Sequence, residues 1–574
     1  MKLALLFGHR HIFRITIFLT LLFCLPMLTN GLFLDDYQQR LTMLTSPGSN
    51  IFDFFTRGNP VTEAQIQSGI LPWWTWDDAK IRFFRPIGQF LTWLDYQLWP
   101  DNFVLMHLHS VLWYLLLIAV VAMTYTQLMP LRWAAGLAAM LFALDYGHAG
   151  GVVWLCNRSV MIAMLLSLAC LYCHRRDTTS FRLVAACLFA LSLAAAEAAL
   201  AITGYLLAHE LFLTARSHWQ RLVRLLPYVL IALLWIGFWH KHGYGVSGPG
   251  FYIDIASQPL LFMEKVIYRA PAYLVGQFAL PPAEVFGAVE LLPESSTAQL
   301  LAGIYAVGIL TLLFVFFWPL LKHSALARFY ALGLLIAVLP ICASSLVSRS
   351  LWYVSFGAAG LIALYVANYR ELVSGKASLS RARIFASGLL GIHLVLSPVF
   401  FLLLPKVADM LDVAMDSRTV HLPVRNAEQP QVLLLTSLSY VGNVTFPMLK
   451  DHALSMGKSP LRQTPVITRI RGLVEGKGQF TLQRPSDNTL IATAADAFMA
   501  MASPTYGFRA GHLVVLDDVK MTVTRVNANG QPVQIRYDFA QGELVRYTVM
   551  AWQGDRFKPA QLPLQGQALN LRLE

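Results

Sequence analysis

Residues 300–321 read LLAGIYAVGILTLLFVFFWPLL, 22 positions without a charged side chain. At ~1.5 Å per residue a helix of that length covers about 33 Å, enough to cross a hydrocarbon core of ~30 Å. Runs of the same kind recur up to about residue 404. They lie near 15–32, 103–126, 133–147, 152–173, 182–197, 198–213, 225–240, 327–346, 351–368 and 384–404, which with 300–321 makes about eleven expected spans. The first run follows a long n-region, and no small-x-small site precedes Asp35. It reads as an uncleaved span rather than a signal peptide.

The whole chain carries this bias. It has 574 residues, 56% hydrophobic and 13% charged, with mean hydropathy +0.54. Soluble domains carry roughly 25% charged residues, so a water-soluble globular reading fails for the first two thirds. The expected fold is an all-α polytopic membrane domain over 1–404, with outer segments at about 33–102 and 241–299, and a soluble, mainly β domain over 405–574.

Lys and Arg in the short connections give an orientation. With the N-terminus in the cytoplasm, Lys2, Arg10, Arg14, Arg132, Arg175, Arg176, Arg182, Arg216, Arg221, Arg224, Lys322, Arg328, Arg370, Lys376, Arg381 and Arg383 fall on the inside. Little beyond Arg158 and Arg349 falls in the short outer connections. This bias largely accounts for the net charge of +12 and argues against nucleic acid as a partner. An odd number of spans puts the C-terminal domain outside. The expected location is a bacterial inner membrane, with that domain in the periplasm.

The cysteines say little. Cys24, Cys170, Cys173, Cys187 and Cys342 lie inside spans and Cys156 near a span end. Cys170-x-x-Cys173 is read as packing on an embedded helix, and the C-terminal domain has no cysteine. In the first outer segment, Trp73, Trp74, Trp76, Trp93 and Trp99 point to helices lying at the membrane surface. The second holds the turn Ser247-Gly248-Pro249-Gly250 and a short helix with Glu264, Lys265 and Arg269. After 405 the expected strands are Gln431–Thr436, Pro465–Ile470, His512–Leu516, Lys520–Val526, Val533–Phe539 and Tyr547–Trp552. Helix is expected around 443–456 and 494–503.

Charged groups near membrane depth are expensive and point to function. One set falls on the outer side: Asp35 and Asp36 after the first span, Arg82 and Arg85 before Pro86, His148, Arg158, Glu197 and Arg349. An arginine fork gives a phosphate two parallel hydrogen bonds, and a nearby carboxylate can take a proton from a hydroxyl. The other readings are plain ones. Asp35-Asp36 can cap a helix, the arginines can contact headgroups, and Glu197 can cap a turn. His107, His109 and His148 read as packing or interface residues. Asp77, Asp78 and Asp95 read as solvated loop acids.

The order of these residues resembles the GT-C superfamily of membrane glycosyltransferases, in the branch of the transmembrane O-mannosyltransferases and their bacterial relatives. Asp35-Asp36 stands at the acidic pair of the first outer loop. Arg85-Pro86, then Leu94-Asp95-Tyr96-Gln97-Leu98-Trp99 and His107, is similar to the Arg-Pro stretch leading into the second span. Leu141-Phe142-Ala143-Leu144 followed by Trp154-Leu155-Cys156-Asn157-Arg158 resembles Leu-Phe-Ala-Leu…Trp-x-x-x-Arg. Leu193 to Leu200 around Glu197 resembles the Ser-Lys-Glu segment. Arg349-Ser350-Leu351-Trp352-Tyr353-Val354-Ser355-Phe356-Gly357 resembles Arg-Tyr-Leu-Tyr-x-Pro-Ser-x-Gly. The likeness covers most of 15–370 and none of the C-terminal domain. The chain departs from it at Asp145-Tyr146 and Gly150, where the family has His-Pro and a Glu.

The resemblance implies transfer of a sugar, with inversion, from a polyprenyl-phosphate-linked donor to a hydroxyl of a lipid, glycan or protein at the outer membrane face. Asp35 would be the general base, and Asp36 would assist, orient the acceptor or help hold a divalent cation such as Mg or Mn. Arg349 and Arg158 would stabilise the leaving phosphate. Arg85, His148, Glu197 and Tyr353 would complete the substrate site. The alternatives are a transporter or flippase for a lipid-linked molecule, and an inactive membrane scaffold whose β domain binds a partner.

Overall fold

The computed structural model describes residues 2–75, 77–176, 178–247, 252–292, 296–373, 375–419, 431–456, 467–498 and 507–573. Trp76, the turn residues 248–250, residues 465–466 of one expected strand and residues 499–503 of one expected helix lie outside the described residues. The chain divides into two compact units. The first comprises Met1–Leu32, Phe83–Gly245 and Phe251–Ala408; the second comprises Phe33–Arg82, Val246–Gly250 and Asp409–Glu574.

A helix occupies every expected span of the first unit. Among the described residues six stretches are long and apolar enough to cross a bilayer alone, such as Phe103–Leu128 and Thr297–His323. Arg132–Ala143 and Tyr146–Val153, bent by 51° at a short break, make a seventh if counted as one span. Thr179–Ala195, Ala325–Ile341 and Trp352–Asn368 are shorter. Trp352–Asn368 is buried along nearly its whole length, because other helices rather than lipid surround it. By contrast, Leu233, Leu234, Leu300, Val307 and Phe314 stand largely exposed. Apolar surface on this scale needs a lipid solvent, so the protein is a multi-pass membrane protein.

The helices pack through small residues and buried tyrosines. A Cβ on Gly333 would fall 2.2 Å from the Tyr205 ring, so glycine is what lets the helices Ile202–Phe212 and Ala325–Ile341 approach. Tyr125 donates to the Phe356 carbonyl and Tyr205 to the Tyr353 carbonyl, each at 2.5 Å. These bonds satisfy hydroxyls that would be costly unpaired in an apolar interior.

Two local breaks position side chains discussed below. The expected span 152–173 is interrupted: Tyr146–Val153 ends at Trp154, a short 3₁₀ turn Leu155–Asn157 follows, and a new helix opens at Arg158. The expected short helix near Glu264 is the 20-residue helix Pro259–Phe278, which forms a hairpin with Ala283–Glu290.

Among the described residues the second unit contains three sheets. Strands β1 (Asp53–Thr56), β2 (Lys80–Arg82) and β3 (Gly245–Ser247) form a small sheet in that order. The next strands are β4 (Gln431–Leu434), β5 (Arg469–Gly472), β6 (Gly478–Ser486), β7 (Thr489–Ala494), β8 (Leu513–Val515), β9 (Val519–Val526), β10 (Pro532–Phe539), β11 (Thr548–Gln553), β12 (Arg556–Pro559) and β13 (Ala568–Leu573). One sheet is antiparallel, in the order β13-β6-β7-β10-β9-β8. The other is mixed, β12-β11-β4-β5, with β4 parallel to both β5 and β11. The helix Phe446–Met456 lies between β4 and β5 in the chain, giving a β-α-β unit inside an otherwise β-rich body. Residue 494 ends a strand and 495–498 are not helical, so the helix expected from 494 does not begin there.

The first outer segment divides at Arg82: residues 33–82 fold into this unit, and from Phe83 the chain belongs to the first. Helix Asp35–Thr45 packs on Phe446–Met456. Trp73 donates its indole N–H to the Gly472 carbonyl at 3.0 Å, and Trp74 meets the Tyr440 ring edge-on at 5.2 Å. A Cβ on Gly69 would overlap the Ile470 carbonyl, so only glycine fits between this segment and β5. Trp73 and Trp74 are buried, not at a headgroup surface. An indole buries its large apolar face if its one donor finds an acceptor, and the Gly472 carbonyl supplies it.

Candidate active site

Three arginines of the first unit gather at one end of its helices. Arg158 opens the helix Arg158–His174, and Glu197 follows the helix Thr179–Ala195. The two helices form a tight hairpin through a short turn, so Arg158 and Glu197 share an end. Arg85 precedes Pro86, whose fixed φ starts the helix Pro86–Leu98.

Two of the arginines are spent on carboxylates. Arg85 donates from Nε, at 3.0 Å, and from Nη2 to the two oxygens of Glu197, and Nη1 lies 3.4 Å from Ser159 Oγ. Arg158 donates Nη1 to Asp95, Nε to Ser110 Oγ at 2.8 Å and Nη2 to the Met106 carbonyl at 2.8 Å. The second Asp95 oxygen meets His109 Nδ1 at 2.6 Å. The Arg158 and Asp95 side chains are 3% and 2% exposed, so each charge depends on the other. Asp95 is thus a buried partner rather than a solvated loop acid. Its position in an apolar-faced helix just before a span, seven residues ahead of Asn102, was the available signal.

Arg349 is different. It sits in the 3₁₀ turn Ser348–Ser350, half-buried, with its guanidinium 4.3 Å over the Trp154 ring. Gly150 makes room for it: a Cβ there would come within 3.3 Å of Arg349 Cβ. Among the described residues, the Arg349 guanidinium has no ion pair and no hydrogen bond. The ring holds the cation by its quadrupole and leaves the planar donor fork available.

His148 and Tyr353 lie in the packing of the same unit. His148 stacks on Trp352 at 4.2 Å, with Nε2 2.8 Å from Ser355 Oγ and Nδ1 2.9 Å from the Phe142 carbonyl. Tyr353 bonds Ser167 Oγ at 3.0 Å. Ser167 is about 13 Å along its helix from Arg158 at ~1.5 Å per residue, so the Tyr353 hydroxyl is directed away from Arg158.

Asp35 and Asp36 belong to the second unit and open the helix Asp35–Thr45. Asp36 is 2% exposed and its carboxylate reaches back to accept the Phe33 N–H at 3.0 Å. Asp35 is partly exposed. Leu34, immediately before the pair, has φ 44°, which a leucine seldom adopts. Such strain concentrates at functional positions.

Asp35 and Asp36 are the residues that the resemblance would set beside a divalent cation. Mg is commonly held by one or two protein carboxylates together with water and substrate phosphate, and of this pair Asp36 is already engaged with the Phe33 N–H. Among the described residues one group of His and acidic side chains could share an ion, namely His174, His209 and Glu210. There Glu210 already meets His174 Nε2 at 3.0 Å, His209 Nδ1 at 3.4 Å, Arg224 Nε at 3.2 Å and Arg216 Nη1 at 3.4 Å. Two arginines on the carboxylate oppose a bound cation.

No protein-family model matches this sequence, and no curated protein matches it. Among solved structures, the chain is similar to the Archaeoglobus fulgidus oligosaccharyltransferase tethered to an acceptor peptide containing the NVT sequon. The identity is 12% and the TM-score 0.38, over 81% of this chain and 64% of that one. It is similar to AglB of the same organism in complex with an inhibitory peptide and a dolichol-phosphate, at 13% identity and TM-score 0.39, over 77% of this chain and 63% of that one. It is similar also to apo ArnT from Cupriavidus metallidurans, at 15% identity and TM-score 0.31, over 79% and 88%. The chain spans under two thirds of the length of the two archaeal structures. These values describe likeness and assign no activity.

Proposed function

We propose that the protein is a membrane glycosyltransferase that moves a sugar from a polyprenyl-phosphate-linked donor to a hydroxyl of a lipid, glycan or protein at the outer membrane face. The observation that carries this reading is Arg349, a half-buried guanidinium held on Trp154 with no anionic partner among the described residues. A cation in that state is prepared for an anionic ligand. The neighbouring arginines, Arg85 and Arg158, are already neutralised by Glu197 and Asp95.

In this mechanism the acceptor oxygen attacks the anomeric carbon as the bond from that carbon to the phosphate oxygen breaks, inverting the centre. The acceptor proton passes to a carboxylate base, the role that the resemblance gives to Asp35. Negative charge builds on the departing lipid phosphate, where Arg349 donates hydrogen bonds already oriented for it. Arg158 acts by holding the helix start beside Trp154, and Arg85 with Glu197 holds the adjacent helix end. Asp36 orders the turn through Phe33. By the basic bias of the opposite connections, the arginine end of the helices faces outward and the C-terminal unit lies in the periplasm of a bacterial cell.

The test is glycan profiling of cells carrying the wild type, Asp35→Asn, Arg349→Ala or a deletion, at matched protein level. Loss of one sugar from a surface glycan in all three supports the reading. A deletion effect that both variants restore in full refutes it and leaves the scaffold or transporter readings.

A further inference from the structure

The segment joining the helices Ala325–Ile341 and Trp352–Asn368 carries Arg349 and has almost no regular structure of its own. Its backbone is held from outside by the hairpin Pro259–Phe278 and Ala283–Glu290. Arg269 donates Nη1 to the carbonyls of Cys342 and Ser344, at 3.0 and 2.9 Å, and is itself held by Glu290 at 3.0 Å. Tyr273 donates to the Ser345 carbonyl at 2.8 Å. Gly287 lets Leu346 close in, since a Cβ there would lie 2.8 Å from the Leu346 carbonyl.

The last of these contacts falls beside the arginine. Glu284 accepts the Ser348 N–H at 2.6 Å with one oxygen and the Ser348 hydroxyl at 2.7 Å with the other. With the Ser348 hydroxyl proton given to Glu284, the Tyr146 hydroxyl donates to Ser348 Oγ at 2.6 Å. Both carboxylate oxygens are thereby occupied by Ser348. No ion pair joins Glu284 to Arg349 among the described residues, although the arginine is the next residue in the chain. The carboxylate fixes the turn and leaves the guanidinium unquenched.

We infer that Glu284 is a positioning residue: by clamping Ser348 it sets Arg349 over Trp154 as the receptor for the donor's phosphate. This rests on the proposed reading that Arg349 meets that phosphate. Gln at 284 offers one acceptor where Glu offers two, and sets an amide donor against a donor on Ser348. The turn then samples more orientations, and affinity falls with the share of molecules in the competent one.

The test is titration of the purified full-length protein in detergent with undecaprenyl monophosphate and, as the control without phosphate, undecaprenol, alongside melting temperatures. Arg349→Ala should abolish the preference for the phosphate. Glu284→Gln should weaken undecaprenyl monophosphate binding about 10-fold while undecaprenol binding and the melting temperature stay at wild type, and Glu284→Asp should recover part of the loss. Wild-type phosphate binding by Glu284→Gln, with the preference lost in Arg349→Ala, overturns the positioning role and leaves Arg349 in place. An equal loss of both ligands, or a lowered melting temperature, in Glu284→Gln also overturns it, because the residue would then be merely structural. A preference intact in Arg349→Ala refutes the phosphate reading itself, and the inference falls with it.

Discussion

The Arg349 guanidinium lies 4.3 Å over the ring of Trp154, which ends the helix broken just before Arg158. The contact orients a cation without neutralising it. Removing it should therefore cost activity and little stability. Arg349→Ala is expected to slow sugar transfer by about 10²–10³-fold, the range found when one oriented donor to a developing anion is lost. Arg349→Lys should recover only part, since an ammonium lacks the planar fork. Transfer rates in membranes, with melting temperatures beside them, check this; unchanged transfer in Arg349→Ala refutes it.

Arg158 and Asp95 should behave in the opposite way. Breaking a buried pair strands a charge, at about 3–5 kcal/mol. Asp95→Asn should sharply lower the melting temperature of the detergent-solubilised protein. Asp95→Asn with Arg158→Gln should be more stable than Asp95→Asn alone. A single variant as stable as the wild type would mean the pair is not needed to hold the fold.

Asp35 and Asp36 should separate by readout. Asp36 bonds the Phe33 backbone, and a hydrogen bond to a charged group contributes about 1.5–3 kcal/mol. Asp36→Asn should lower stability and reduce transfer only in step with it. Asp35→Asn should leave the melting temperature in place and stop transfer. Equal loss of stability in both would count against Asp35 as a base.

Stability of the second unit should depend on pH through Glu475. Burial pushes its carboxyl from 4.5 up to about 7. Between those values the folded form holds a proton that the unfolded form has released. Stability is then fully present below about 4.5 and falls as pH rises through about 7, by up to roughly 3 kcal/mol. Hydrogen-exchange protection at β4 and β5, taken relative to the intrinsic exchange rate at each pH, should be lower at pH 8 than at pH 5, and Glu475→Gln should flatten the difference. Asp518 contributes in the other direction. Burial raises its carboxyl, but Arg471, Tyr547 and Arg469 outweigh that and hold it below the usual range, so its share is lost only on acidification. A slope of the same sign in Glu475→Gln would assign the effect elsewhere.

The helices of the first unit were legible because each must present a long apolar surface, as 300–321 does. The short helix Trp352–Asn368 was legible too, since a helix buried on all sides is also apolar. The break at Trp154 was not, because Val152 and Val153 continue the hydropathy of the span they end. The arginine set was found from charges that run against the orientation bias. Asp95, Glu284 and Ser348 were not, since nothing local distinguishes an acid paired across a bundle from one in solvent. In the second unit β9 and β10 were read from their β-branched runs. β6 and β7 were missed because Gln, Arg, Ser and Thr break their alternation. The pairing of 33–82 with 409–574 was invisible, since it depends on contacts such as Trp73 to Gly472 between positions far apart in the chain.

That last pairing governs how the protein is made. Residues 33–82 leave the ribosome about 330 residues before their partners at 409–574. At ~5–20 residues per second this is roughly 15 to 65 s. Throughout that interval Trp73, Trp74 and the helix that opens at the acid pair lack the C-terminal elements that pack on them. A nascent chain in this state offers an adhesive surface to chaperones and proteases while the remaining spans are still being inserted. The C-terminal segment therefore acts as the last step of assembly for the first loop, and a premature stop codon late in the gene would leave Trp73 and Trp74 uncovered.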